Sequence, residues 1–198
     1  MPAVKIKRKL FRLVGLLFPA TLYLIPGGYG LAATVGILIL FIATMLTLEV
    51  YRFRYPGVNR WLFEHFHAFT KEKERTRVST TTLFLIACLL TILLFPRSVA
   101  IAAVLFLVVG DPVAEIIGLR YGRIRLMGKT LEGTLAGFGA CLAAGALARW
   151  LPLGLDWGVL LAGAAVASFA ELLPLPIDDN FTIPLAAGLA MALVLAWR

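Results

Sequence analysis

Apolar residues run along this chain in blocks longer and more uniform than the core helices of a soluble domain. Seven blocks are read, at about 10–26, 31–51, 79–96, 98–119, 133–151, 157–174 and 181–197. A helix rises 1.5 Å per residue, so crossing a hydrocarbon core takes about 20 residues. Blocks 10–26, 157–174 and 181–197 are short, at the lower limit of that length. The pattern predicts an all-α fold, a polytopic membrane helix bundle with about seven transmembrane helices. No internal repeat is evident and no polar stretch is long enough to fold alone, so residues 1–198 are expected to form a single integral membrane domain. The longest polar interval, about 56–77, carries Val58, Leu62, Phe66 and Phe69 at helical spacing, with Trp61 and Phe63 beside them. It predicts an amphipathic helix lying in the membrane interface. His65 and His67 fall within it, two apart and so on different faces, and are read as interfacial histidines.

Composition agrees with the pattern. The chain is 61% hydrophobic and its mean hydropathy is +0.91, well above a soluble domain. Cys88 and Cys141 both lie inside apolar blocks, without metal-ligand spacing, and are expected to act as small buried hydrophobes. The first apolar block follows basic residues without a convincing small-residue cleavage site, so it is read as a first span rather than a signal peptide.

The net charge of +8 changes the picture only once its distribution is seen. With seven spans, three polar segments fall on one side. They hold Lys5, Lys7, Arg8, Lys9 and Arg12; then Arg52, Arg54, Arg60, Lys71, Lys73, Arg75 and Arg77; then Arg120, Arg123, Arg125 and Lys129. Those are sixteen of the nineteen basic residues, against Arg97, Arg149 and Arg198 on the other side. The positive-inside rule makes the N-terminus cytoplasmic. An integral protein of the cell or inner membrane is expected, its chemistry facing the cytoplasm. The acids follow: of eleven, only Asp156 lies in an outer loop. A mouth lined by both signs suits a metal–polyphosphate ligand. Nucleic acid is not expected as a partner, because the acids would repel it.

The chemistry concentrates in GDPVAEIIGLRYGRIRLMGKTLEG, residues 110–133. Asp111 and Glu115 are four apart and share a helical face. A carboxylate near the bilayer centre costs about 2.5–3.5 kcal/mol on insertion scales, so a pair signals function or a cationic partner. Gly110 and Pro112 flank Asp111, and Pro112 is expected to bend the helix. The following segment, from Arg120 to Thr130, resembles a phosphate-binding loop. It fails the P-loop pattern, since five residues rather than four separate Gly122 from Gly128 and no strand precedes it. Glycines that admit backbone N–H groups, with Arg and Lys, remain suited to phosphates. Thr130 is a candidate cap for the next helix, with Glu132 and Gly133 at its entry. Further on, Glu171 precedes Pro174-Leu175-Pro176-Ile177-Asp178-Asp179-Asn180. Asn180 or Asp179 is expected to cap the last helix, and the Asp-Asp-Asn set offers hard oxygens to a metal.

These residues resemble the membrane-embedded CTP-dependent lipid-alcohol kinases: the dolichol, polyprenol and phytol kinases and the CTP-using diacylglycerol kinase. The resemblance rests on Gly110-Asp111, Gly118, Arg120, Tyr121-Gly122, Lys129-Thr130-Leu131-Glu132-Gly133, then Glu171, Asp178-Asp179-Asn180 and Pro184, with Arg8-Lys9 as a basic pair. It covers most of the chain. Pro112, Glu115 and Arg12 depart from the usual pattern, and Lys-Thr-x-Glu-Gly replaces Lys-Ser-x-Glu-Gly.

The resemblance implies CTP as phosphoryl donor, Mg²⁺, and transfer to the hydroxyl of an isoprenoid alcohol (dolichol-, phytol- or geranylgeraniol-like). Asp111, Asp178 and Asp179 are the implied metal ligands, and with Glu132 the implied catalytic set. Arg8, Lys9, Gly110, Gly118, Arg120, Gly122, Arg123, Lys129, Thr130, Gly133 and Asn180 are the implied nucleotide-binding set. The expected partners are the lipid alcohol, the nucleotide and membrane lipids, with a second copy of the chain left open. Two other classes remain. A phosphatidate cytidylyltransferase would make a CDP-lipid, but Leu126-Met127-Gly128 stands where its Ser-Pro-Lys-Lys-type run is usual. A transporter would also place acids in spans, though usually with paired repeats.

Overall fold

The computed structural model describes residues 12–66, 72–151 and 153–197. Arg8, Lys9, His67 and Phe69 lie outside them. The described chain is nearly all helical. A short 3₁₀ segment, Arg12–Leu16, leads into α1 (Leu17–Leu24). Then follow α2 (Gly27–Arg54), α3 (Pro56–His65) and a 3₁₀ turn at Glu72–Arg75. Next come α4 (Thr80–Leu94) and α5 (Arg97–Leu105), which passes through a π-helical turn, Phe106–Gly110, into α6 (Asp111–Tyr121). Two-residue strands β1 (Arg125–Leu126) and β2 (Lys129–Thr130) precede α7 (Leu131–Trp150), α8 (Trp157–Leu172) and α9 (Asp179–Ala196).

Among the described residues, four helices are long and apolar enough to cross a membrane: Gly27–Arg54, the continuous Arg97–Tyr121, Leu131–Trp150 and Asp179–Ala196. Three of the expected spans are shorter apolar helices, Leu13–Leu24, Thr80–Leu94 and Trp157–Leu172. Fifteen residues of α4 rise about 22 Å, short of a core of about 30 Å. The boundaries have local causes. Pro26 and Gly27, the latter at φ +65°, separate α1 from α2. Pro96 ends α4 and opens α5. Ser79 accepts from Thr82 N–H to cap α4, and Asp156 accepts from Gly158 and Val159 N–H to cap α8.

Within the described residues of the expected 56–77 interval, the helix ends at His65, because Phe66 leaves the helical region. Its buried side chain is Phe63, while Val58, Trp61 and Phe66 are exposed. Arg75 lies over the Phe63 ring, 5.2 Å from its centre. The connection is also tied down by a buried cluster. Arg52 donates Nε to Glu49 Oε2 at 2.7 Å and Nη1 to the Glu74 carbonyl at 2.6 Å. Its Nη2 reaches the Glu49 carboxylate and the Arg77 carbonyl. Glu49 Oε1 accepts from Ser79 N–H at 2.8 Å and from the Thr82 hydroxyl, and Glu74 accepts from Thr80.

The core is built around α5 and its π turn, where Val99, Ala100, Ala102, Ala103, Phe106, Leu107 and Val108 are fully enclosed. By contrast α2 keeps only 11% of its apolar window buried and offers its length to lipid. Pro112 does not break the helix. Backbone angles stay helical through Gly110 and Asp111, and the wider turn just before absorbs the proline's missing donor.

The π turn and α6 meet α7 along two ladders of small residues with a four-residue period: Gly110, Ala114 and Gly118 against Gly133, Gly137 and Cys141. Such ladders let helix backbones approach closely in membranes. A Cβ on Gly133 would stand 2.6 Å from the Ala114 carbonyl oxygen and 3.0 Å from Gly118 Cα. One on Gly137 would stand 2.8 Å from Ala114 Cβ, and one on Gly110 would strike the Cys141 sulfur. Gly139, on the same helix, would meet nothing within 4 Å. Gly133→Ala is therefore expected to destabilise the bundle by about 1–3 kcal/mol through overpacking against backbone. Gly139→Ala is expected to be neutral or to stabilise by up to about 1 kcal/mol. Unfolding of the two variants side by side in mixed micelles checks this.

Candidate active site

The segment between α6 and α7 is a β-hairpin, which the loop reading missed. Arg125 pairs with Thr130 and Leu126 with Lys129. Met127 and Gly128 turn it, at φ +49° and +87°, the double left-handed geometry of a type I′ turn. Gly128 thus serves the turn. Gly118, Gly122 and Gly133 surround Thr130: a Cβ on Gly118 would lie 2.6 Å from Thr130 Oγ1 and one on Gly133 2.8 Å from it. Thr130 is the α7 cap, accepting from Gly133 N–H at 3.2 Å. Glu132 turns back onto the hairpin and its carboxylate accepts from Ile124 N–H at 3.1 Å. These glycines, with Thr130 and Glu132, shape the α6–hairpin–α7 corner.

The hairpin delivers Lys129 to the opposite corner. Its ammonium donates to the backbone carbonyl of Glu171 and pairs with Glu171 Oε1 at 2.7 Å and Asp179 Oδ2 at 2.8 Å. One lysine joins β2, the end of α8 and the start of α9. Asp178, not Asp179 or Asn180, caps α9: its Oδ1 accepts from Asn180 N–H at 3.2 Å and from Asn180 Nδ2 at 2.6 Å. Asn180 is fully enclosed and its Oδ1 has no partner.

Behind this bridge lies a narrow cleft. Gly110, Asp111 and Ala114 of α6 face Thr134, Gly137 and Cys141 of α7, with Ala167, Ser168 and Glu171 of α8 and Ile183 of α9 closing it and Phe106 beneath. Asp111 is 3% exposed. Glu115, on the following turn, is half-buried. Arg120 and Arg123 are exposed at the end of α6 and its exit, with the Arg120 guanidinium 5.5 Å from the Tyr121 ring centre.

The structure therefore brings Lys129, Glu171 and Asp179 into one contact set, with Asp178 and Asn180 on the adjoining turn and Asp111 in the cleft that Glu171 also lines. Among the described residues no three His, Cys, Asp or Glu side chains converge as a metal cage. The donor chemistry nonetheless suits a hard cation, which takes one or two carboxylates and completes its shell with water and phosphate oxygens. Glu171 Oε2 and Asn180 Oδ1 are buried oxygen acceptors without a donor. Ser168 and Thr134 were not singled out in the sequence. The signal for Ser168 was there: it sits three residues before Glu171, on the same face of α8.

The chain has relatives among known proteins. It is 27% identical over 188 residues to an uncharacterized protein of Rickettsia prowazekii, covering 91% of this chain and 89% of that one. It is 24% identical over 184 residues to CTP-dependent diacylglycerol kinase 1 of Schizosaccharomyces pombe, covering 85% and 84%. A 119-residue stretch is 32% identical to a probable chloroplastic phytol kinase 1 of Glycine max, covering 52% of this chain and 39% of the plant protein. No family model and no solved structure matches it. Its apolar helices and these likenesses make the chain a membrane protein distantly homologous to lipid kinases.

Proposed function

We propose that this chain is a CTP-dependent lipid-alcohol kinase that transfers the γ-phosphoryl group of CTP to the hydroxyl of an isoprenoid alcohol at the cytoplasmic face of the membrane. The observation that carries the reading is the Lys129–Glu171–Asp179 bridge beside the cleft that holds Asp111, in a chain similar along most of its length to a CTP-dependent lipid kinase. The reading includes seven passes with a cytoplasmic N-terminus, the three shorter apolar helices spanning with local thinning of the bilayer. It places the hairpin, the end of α8 and the start of α9 at one mouth.

Phosphoryl transfer asks a protein for positioning and charge neutralisation more than for covalent chemistry. Arg120 and Arg123, exposed at the mouth, are suited to the triphosphate, and Arg8 and Lys9 join that role by sequence resemblance. Lys129 is held by two carboxylates. In this reading it exchanges one of them for phosphate oxygens when nucleotide arrives, which frees Asp179. Asp111 with Asp178 or Asp179 would hold Mg²⁺, whose positive charge supplies neutralisation of the developing charge on the transferred group. Gly110, Gly118, Gly122, Thr130, Gly133 and Asn180 serve by keeping the corner tight rather than by touching the nucleotide, and Glu132 by fixing the hairpin's position. The apolar tail stays in lipid among the helices, and only the headgroup enters the mouth.

Incubating the purified chain and CTP with dolichol, phytol, geranylgeraniol and diacylglycerol tests the substrate. The expected result is a lipid monophosphate from at least one isoprenoid alcohol. Phosphorylation of diacylglycerol alone would move the assignment to that substrate. A CDP-lipid with release of pyrophosphate would make the chain a cytidylyltransferase.

A further inference from the structure

Among the described residues, two polar atoms in the wall of the cleft lack a hydrogen-bonding partner: Glu171 Oε2 and Ser168 Oγ. Both residues are on α8, three positions apart and so on one face. They are more than nine-tenths enclosed, at 7% and 8% exposure. A buried polar atom left unsatisfied costs about 1–3 kcal/mol. Asn59, Asn180 and Thr182 also hold unsatisfied buried atoms, but Glu171 Oε2 and Ser168 Oγ line one cleft together, which points to a ligand there. Glu171 Oε1 is already committed to Lys129 at 2.7 Å, which orients the carboxylate and leaves Oε2 available.

The pair has the pattern of a receptor for one hydroxyl. A carboxylate oxygen only accepts, and a serine hydroxyl both donates and accepts. An alcohol that donates to Glu171 Oε2 and accepts from Ser168 satisfies both atoms at once. Apart from Asp111, Thr134 and Cys141, the rest of the wall is apolar and slim, with Phe106, Ala114, Gly137, Ala167 and Ile183. The cleft's free space is about 10 Å³, the size of the hydroxyl end of an alcohol, so the alkyl chain lies outside it and the ester groups of a glycerolipid find no place in it.

We infer that this cleft is the acceptor-hydroxyl subsite, with Glu171 as the proton acceptor and Ser168 as the group that fixes the oxygen, and that its narrowness selects a long-chain alcohol over diacylglycerol, whose hydroxyl stands beside an ester-bearing carbon. The inference rests on the lipid-kinase reading and deepens it. In the step, the alcohol O–H proton passes to Glu171 Oε2 while the alcohol oxygen bonds to the γ-phosphorus. The bond from that phosphorus to the β–γ bridging oxygen breaks, and its electron pair leaves on CDP. The proton on Glu171 then passes to water at the mouth.

The test has two arms on the full chain in lipid nanodiscs. In the first, CTP and phytol are varied separately. Ser168→Ala is expected to raise KM for phytol roughly 3–10-fold, the worth of one hydrogen bond, with KM for CTP unchanged. The isosteric Glu171→Gln is expected to lower kcat by about 10²–10⁴, as for loss of a general base. Equal effects of Ser168→Ala on both KM values, or unchanged kcat in Glu171→Gln, would overturn the subsite. The second arm needs no turnover. A phytol analogue bearing a diazirine is irradiated with the protein without CTP and the adducts are mapped. Label on Thr134–Cys141 and Ala167–Glu171, displaced by phytol but not by diacylglycerol and reduced in Ser168→Ala, supports the subsite. Label elsewhere, or label that phytol does not displace, overturns it even in an active kinase. Correct label in a protein that turns over no CTP keeps the subsite and removes the kinase reading.

Discussion

Replacing Asp111 with asparagine is expected to lower CTP-dependent phosphorylation at least about 10²-fold while the protein still inserts and folds, in line with the loss of one preorganised charged group at a reaction centre. The side chain is 3% exposed, inside the cleft that Glu171 and Ser168 also line. Asparagine keeps its shape and one carbonyl oxygen, so the contacts of α6 with α7 are retained. What disappears is the negative charge. Holding that charge within a membrane helix costs about 2.5–3.5 kcal/mol on insertion scales. The variant is expected to insert and fold with a stability close to the parent's. Activity and unfolding measured on the same preparation separate the two readings of Asp111. Lost activity with retained stability identifies a residue kept for chemistry. Lost stability with proportionate activity identifies a structural ion pair.

Arg52→Met is expected to have the largest effect on stability, about 3–5 kcal/mol, the range for removing one partner of a buried ionic cluster. Arg52 is 4% exposed and Glu49 6%. The guanidinium serves Glu49 and the carbonyls of Glu74 and Arg77 together, so it fastens the end of α2 to the segment that leads into α4. Methionine fills similar volume but leaves Glu49 charged and buried with only Ser79 and Thr82 as donors. Arg54, exposed two residues later, is the control: Arg54→Met should fall within about 0.5 kcal/mol of the parent, as most surface changes do. Denaturation of both variants in mixed micelles checks the difference. A small effect at Arg52 would mean that the cluster relaxes by admitting water.

The sequence carried the membrane character and the helical blocks plainly, because apolar runs and their punctuation by Pro26, Pro96 and Pro176 are one-dimensional signals. It carried Thr130 as a cap for the same reason. The α9 cap moved to Asp178 because three consecutive Asx residues compete for it, and only the backbone bend before Asp179 decides among them. The hairpin stayed hidden: its strands are two residues long and its turn puts Met127, not asparagine or glycine, in the first left-handed position. The glycines were read as making room for phosphate. The four-residue period of small residues from Gly110 to Gly118, matched from Gly133 to Cys141, was visible and marks helix packing. Glu49 and Arg52, three apart near the end of an apolar block, were also visible as a helical ion pair. Lys129 was read among the phosphate-suited residues, but its pairing with Glu171 and Asp179 spans 42 and 50 residues and needs the fold.

The central claim is that the transferred group is the terminal phosphoryl of CTP and its acceptor is a lipid hydroxyl. Purified protein in nanodiscs, given phytol and CTP labelled at either the γ- or the α-phosphorus, tests it directly. The account predicts that label enters the lipid from the γ position only, with CDP as the other product. Label entering the lipid from the α position, with pyrophosphate released, would contradict it.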